Sequence, residues 1–131
     1  MKKVRILIMA VLLTFLISSV AFASRLDFTL VNETGYRIDV INVSHASSNS
    51  WEEDIMGKDY LANGESININ FSSKENARIW DLQCVYTNGV NDFWYDIDLT
   101  HVSVITLRTE NGVTYAYLDD GKSYSATKNR R

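Results

Sequence analysis

The sequence predicts an all-β fold: an antiparallel two-layer sandwich of about seven strands with one short helix in a loop, with a small β-barrel as the alternative closure. Three observations carry this expectation. The chain has no proline and no long segment of helical period. Asn-Gly pairs punctuate it at 63–64, 88–89 and 111–112, and Asn-Gly accepts the two positive φ angles of a type I′ hairpin turn. Apolar and polar residues alternate around those pairs, which is the period of a strand with one buried face.

The first strand is expected over 26–32, where Leu26, Phe28 and Leu30 alternate with Asp27 and Thr29. Thr34-Gly35 suits a turn into a second strand, 36–44. There Ile38, Val40, Ile41 and Val43 break strict alternation, and a β-bulge near Val40 would restore one inward face. Ser50-Trp51-Glu52-Glu53 fits the S-x-x-E capping box. Asp54 adds negative charge to the first turn, and Gly57 can end it in the left-handed conformation. A helix of one to two turns over 51–56 is therefore expected, with Trp51, Ile55 and Met56 sealing the end of the core. Ile67, Ile69 and Phe71 mark a third strand, 65–71.

Taking Asn88-Gly89 as a two-residue turn defines strands 78–86 and 92–98. Cys84 then opposes Phe93, Leu82 opposes Tyr95 and Trp80 opposes Ile97, all facing inward. Val85 with Asp92, Gln83 with Trp94 and Asp81 with Asp96 face outward. A slip of one residue would exchange the two faces. Asn111-Gly112 sorts strands 103–110 and 113–119 in the same way. Leu107 meets Ala116 and Ile105 meets Leu118 inside; Arg108 meets Tyr115 and Thr106 meets Tyr117 outside.

The N-terminus reads as an export signal. Lys2, Lys3 and Arg5 precede an apolar run from Ile6 to Ile17 and a small-residue site, Ala21-Phe22-Ala23. This order predicts a cleaved secretory signal, 1–23, and no membrane span after its removal. One domain, 24–121, and a basic tail, 122–131, expected to be disordered, follow. The mature chain carries ten basic and sixteen acidic residues, a net charge of −6, and its body, 24–121, stands at −10. Such a body repels nucleic acid, which is excluded as a partner. The expected location is periplasmic or secreted. Cys84 is the only cysteine, so no internal disulfide forms, and its register places it inside as a small hydrophobe.

Several segments together resemble an uncharacterised family of small exported bacterial β-proteins. They are Asn32-x-Thr34-Gly35, Trp51-x-x-Asp54-Ile55-Met56-Gly57, Leu61 with Gly64, and Trp80-Asp81-Leu82. They match N-x-T-G, W-G-x-D-L-L-G, L-x-x-G and W-D-L elements in that order, over residues 28 to about 107. Glu52 departs from the family's glycine. The resemblance implies an exported small domain and supplies no catalytic residue. The same residues read equally as turn glycines, a cap and buried aromatics.

Chemistry is sparse. His45 and His101 are the only histidines, with no nucleophile elbow, zinc-ligand spacing or phosphate loop. No catalytic residue and no cofactor are assigned. Asp81 and Asp96, directly opposed in the expected register, with Asp98 on the same face, need compensation. Arginine, water or a calcium ion would supply it, calcium being the cation such oxygens take. Trp94, Tyr115 and Tyr117 point outward and, with Gln83 and Arg108, form the candidate binding face for a glycan or a protein. The leading expectation is a non-enzymatic envelope binding module. The alternatives are a carboxylate-dependent hydrolase of envelope polymers and a structural envelope subunit.

Overall fold

A computed structural model describes residues 24–48, 54–57 and 59–129. The expected signal, 1–23, lies outside them. The described chain is all-β, with eight strands. They are β1 (Phe28–Glu33), β2 (Ile38–His45), β3 (Ser66–Ile69), β4 (Ile79–Tyr86), β5 (Asn91–Asp98), β6 (Val104–Glu110), β7 (Val113–Leu118) and β8 (Ser123–Ser125). Seven follow the predicted spans to within two residues at either end.

The strands form a five-stranded sheet, β3-β1-β6-β7-β8, and a three-stranded sheet, β2-β4-β5. Phe28, Leu30, Ile105, Leu107, Ala116 and Leu118 from the first meet Ile41, Val43, Trp80, Leu82, Trp94 and Ile97 from the second in one core. Two isolated bridges, Ile38 to Leu61 and Phe93 to Thr127, join segments flanking one sheet to edge strands of the other. The sandwich is thereby partly closed toward a barrel. Pairing is antiparallel except between β1 and β6, which run parallel from Thr29–Val104 to Glu33–Arg108. The expected bulge in β2 is present as a register shift between Ile38 and Val40.

The two hairpins differ. At Asn111-Gly112 both residues have positive φ (54° and 81°), the type I′ requirement, and the β6–β7 register is as predicted. At Asn88-Gly89 only Gly89 has positive φ. The Tyr86 amide donates to the Val90 carbonyl and the Gly89 amide to the Tyr86 carbonyl (2.9 and 2.8 Å), so the loop holds three residues, Thr87 to Gly89. That shifts the register: Cys84 pairs with Asp92, Gln83 with Phe93 and Leu82 with Trp94. A bulge at Tyr95–Asp96 then restores Trp80 opposite Ile97. Asp96 sits at φ 59° there, and its amide donates to the Asp81 carboxylate (2.9 Å). Asp92 and Trp94, expected outward, thus turn inward and Tyr95 turns outward; Phe93 changes face as well but stays buried, 3% exposed and stacked on Tyr95. Cys84 stays buried.

Two further expectations are corrected. Of the proposed helix, 51–53 lie outside the described residues; Asp54 is not helical and Ile55 to Gly57 form a turn. The reason is a tie to the edge of β2. The Ile55 amide donates to the Ile41 carbonyl (2.8 Å), and the Asp54 carboxylate accepts the Ile41 and Met56 amides (3.0 and 3.1 Å). Of the tail expected to be disordered, 122–131, residues 130 and 131 lie outside the described residues, and the rest instead forms β8 and the bridge at Thr127. Tyr124 and Ala126 pack against the core, and that burial offsets the cost of ordering a polar end.

The N-x-T-G element has a structural role. Asn32 is fully buried. Its Nδ2 donates to the carbonyls of Tyr36 (2.8 Å) and Leu61 (3.0 Å). Its Oδ1 accepts the Thr34 amide (3.0 Å) and hydroxyl (2.7 Å). All four hydrogen-bonding positions of the side chain are filled. Gly35 (φ 90°) donates its amide to Asn63 Oδ1 (2.8 Å), and Gly64 donates to the Asn32 carbonyl (2.6 Å). The first two turns are thus knitted together across 30 residues of chain.

Candidate binding surfaces

The predicted aromatic face is only partly assembled. Trp94 is 1% exposed; its indole N–H donates to the Thr114 carbonyl (3.3 Å), making it a core residue. Gln83 stands on β4, in the other sheet. Tyr115, Tyr117 and Arg108 do come together on the outward face of the five-stranded sheet. Both rings are half-buried, with centroids 5.8 Å apart and planes 32° apart. The Arg108 guanidinium lies 5.3 Å from the Tyr117 ring centre and donates twice to Glu33 (3.1 and 2.7 Å). Glu33 thereby raises the Arg108 pKa. The Tyr117 hydroxyl donates to Glu110 (2.9 Å), a bond to the neutral form that raises the phenol's pKa. Thr106, opposite Tyr117, and Ser123 and Ser125, opposite Tyr117 and Tyr115, extend the row with hydroxyls.

The three aspartates proposed for calcium are not gathered. The Asp81 carboxylate serves the bulge, as described. Asp98 accepts the Thr100 amide (3.0 Å) and hydroxyl (2.5 Å) and faces Arg78 (3.5 Å). Those bonds, the Thr100 hydroxyl first, hold its pKa below the ordinary value. Asp96, with its left-handed backbone, is exposed. Among the described residues no three His, Cys, Asp or Glu side chains converge as a metal set. His45 meets Glu75 (3.3 Å) and packs its ring 4.4 Å from that of Trp80; His101 is exposed in a turn.

Sequence reasoning missed a cleft of about 200 Å³ at the end of the sandwich, between the two hairpin turns. Tyr36, Tyr86, Val90, Asp92, Thr114 and Lys128 are among its walls. The register shift turns Asp92 inward, where it is 1% exposed. One carboxylate oxygen accepts the Tyr86 hydroxyl (2.7 Å) and the other the Lys128 ammonium (2.5 Å). Burial first, then the nearby Cys84 and the bond to Asp92, push the Tyr86 phenol far up, so it stays a donor. Burial does the same to the Cys84 thiol, leaving no thiolate for chemistry.

No protein-family profile matches the chain, and no curated protein does. Among solved structures it is similar to an NMR structure of a protein from Eubacterium rectale, with 14% identity and a TM-score of 0.52. The match covers 73% of this chain and 89% of that one. At that identity the likeness concerns the fold alone, and with the sheet topology it makes this chain an all-β sandwich.

Proposed function

We propose that this chain is an exported, non-enzymatic binding module of the cell envelope that takes a glycan on the outward face of its five-stranded sheet. The observation that carries this reading is the pair of side-by-side tyrosines, Tyr115 and Tyr117, with Arg108 against the second ring. Aromatic faces stack on the C–H faces of sugar rings, and fixed polar groups at the rim meet the hydroxyls. Here the rim is Arg108 held by Glu33, together with Glu110 and a row of Thr and Ser hydroxyls. That density of hydrogen-bonding groups suits a hydroxyl-rich ligand better than an apolar protein patch. A body at −10 favours a neutral or cationic polymer over an anionic one.

The test is binding of the mature chain to purified peptidoglycan and to soluble oligosaccharides, by pelleting and calorimetry. Tyr117→Ala should weaken capture by about tenfold or more while the circular dichroism spectrum stays that of the wild type. Wild-type protein that ignores every glycan, or a variant that binds as well, rejects the reading. Export is checked separately: protein recovered from the envelope of a bacterial host should begin at Ser24, and a chain retaining Met1 in the cytosol counts against it.

A further inference from the structure

The geometry of the cleft between the hairpin turns points to a second site, for a primary ammonium on an alkyl stem, which the chain's own Lys128 occupies in cis. The binding group is Asp92. Its carboxylate sits at the inner end of the cleft, almost wholly shielded from water, and a buried carboxylate requires a cation or several donors. The Tyr86 hydroxyl fills one oxygen, and behind it Thr114 and Thr109 continue the chain of hydroxyls (Thr109 to Thr114, 2.8 Å). The other oxygen is filled by an ammonium from outside the sheets. The Lys128 side chain is 60% exposed and reaches in from the C-terminal segment, whose backbone is held at Thr127 by a pair of hydrogen bonds with Phe93 (2.9 Å each) and at Ala126 by one to the Thr114 carbonyl (2.9 Å).

Lys128 is therefore an occupant of the site more than a part of its wall. The wall itself is aromatic. Tyr36 and Tyr86 meet edge to face at 6.2 Å beside the carboxylate, and Tyr36 stays 58% exposed at the mouth. Rings flanking a carboxylate suit an alkyl stem and its ammonium, through packing and cation–π attraction. The net charge of −6 over residues 24–131 favours cations over anions as ligands. A divalent metal does not fit, because a single carboxylate supplies too few hard oxygens. An anion would face Asp92 directly. Ligands of the required kind are a lysine side chain from another protein or a free diamine.

Since Lys128 must leave before a ligand enters, the apparent affinity is the intrinsic one reduced by the open fraction. The experiment titrates n-butylammonium into the ¹⁵N-labelled chain and follows the amides of Phe93, Thr127 and Lys128. A five-atom ligand should saturate on the order of 10 mM, with tetramethylammonium, which cannot donate a hydrogen bond, showing no saturation. Lys128→Met keeps the stem and removes the charge, and should bind about tenfold tighter or more. Asp92→Asn should not bind. Should Asp92→Asn fail to fold, Tyr86→Phe, which removes one oxygen, should weaken binding in the Lys128→Met background. Saturation by 1,5-diaminopentane or by a lysine-bearing peptide supports the site, and the tighter of the two names the source. Folded Lys128→Met that shows no saturable response overturns the proposal. So does binding by Lys128→Met with none by the wild type, which would make Lys128 a permanent seal.

Discussion

Replacing Asn32 tests whether the N-x-T-G element is a structural knot. Its side chain makes four hydrogen bonds in a fully buried position. A typical intramolecular hydrogen bond is worth about 1 kcal/mol net, so losing all four sets a ceiling of about 4 kcal/mol for Asn32→Ala. A floor comes from the partners left behind. The Thr34 amide loses its buried acceptor, at about 1 kcal/mol or more, whereas the Leu61 carbonyl keeps the Ile38 amide (2.9 Å). The expected loss lies between these bounds, at about 3 kcal/mol, a large part of the roughly 5–10 kcal/mol a domain of this size holds.

Urea unfolding followed by tryptophan emission reads this directly, since Trp80 and Trp94 are both buried. With a slope of about 1–1.5 kcal/mol per molar, the midpoint should fall by about 2–3 M. The companion variant is Asn32→Asp. It has the same shape and keeps the one oxygen that accepts both Thr34 bonds, but replaces the NH2 group by an oxygen aimed at two carbonyls 2.8 and 3.0 Å away. It should be at least as damaging as alanine. If Asn32→Asp is near neutral, packing holds this position, and the hydrogen-bond account is wrong.

Three other outcomes follow from the same geometry. Cys84, fully buried and with its thiol pKa raised by burial, should react with a disulfide reagent at pH 8 at least about 100-fold more slowly in the native state than in urea; equal rates would place it at the surface. Asp98 has a folded pKa below 3.8, so the unfolded chain binds more protons between the two values. Its contribution is present above that range and lost as the pH falls through the folded pKa. Asp98→Asn keeps an acceptor for Thr100 and should flatten the fall of Tm below about pH 4, by under about 1 kcal/mol for so exposed a group; parallel acid limbs would assign the effect elsewhere. Gly112→Ala, at φ 81° in the β6–β7 turn, should cost about 1 kcal/mol by urea unfolding, and an unchanged midpoint would mean the turn has another form.

How legible each element was depended on local parity. In β6 and β7 the alternation is clean and the turn is the two-residue kind, so every pair from Ile105–Leu118 to Arg108–Tyr115 could be read. In β5 three consecutive aromatics, Phe93-Trp94-Tyr95, make both parities look inward. The extra loop residue and the bulge that takes it back at Tyr95–Asp96 leave both ends of the strand consistent. Nothing in the pattern of hydrophobicity marks two errors that cancel. The parallel contact of β1 with β6 joins segments about 75 residues apart and carries no local signal. The tail did carry one, Tyr124 and Ala126 alternating with Ser123 and Ser125; its basic charges and position at the end of the chain drew the opposite reading.

Those cancelling shifts also decide where binding can occur. Moving β5 by one residue takes Trp94 off the surface and into the core, where its area stabilises the fold and contacts no ligand. Of the three aromatics predicted to face outward, the two that remain, Tyr115 and Tyr117, belong to β7, the strand whose register had no such ambiguity. The same shift brings the Asp92 carboxylate inward, next to Tyr86, and leaves it requiring a cation that neither sheet provides. The chain answers with Lys128, carried in by the C-terminal segment that crosses Phe93 at Thr127. One added loop residue thus both removes the residue that looked most like a binding aromatic and creates the buried charge around which the second site is built.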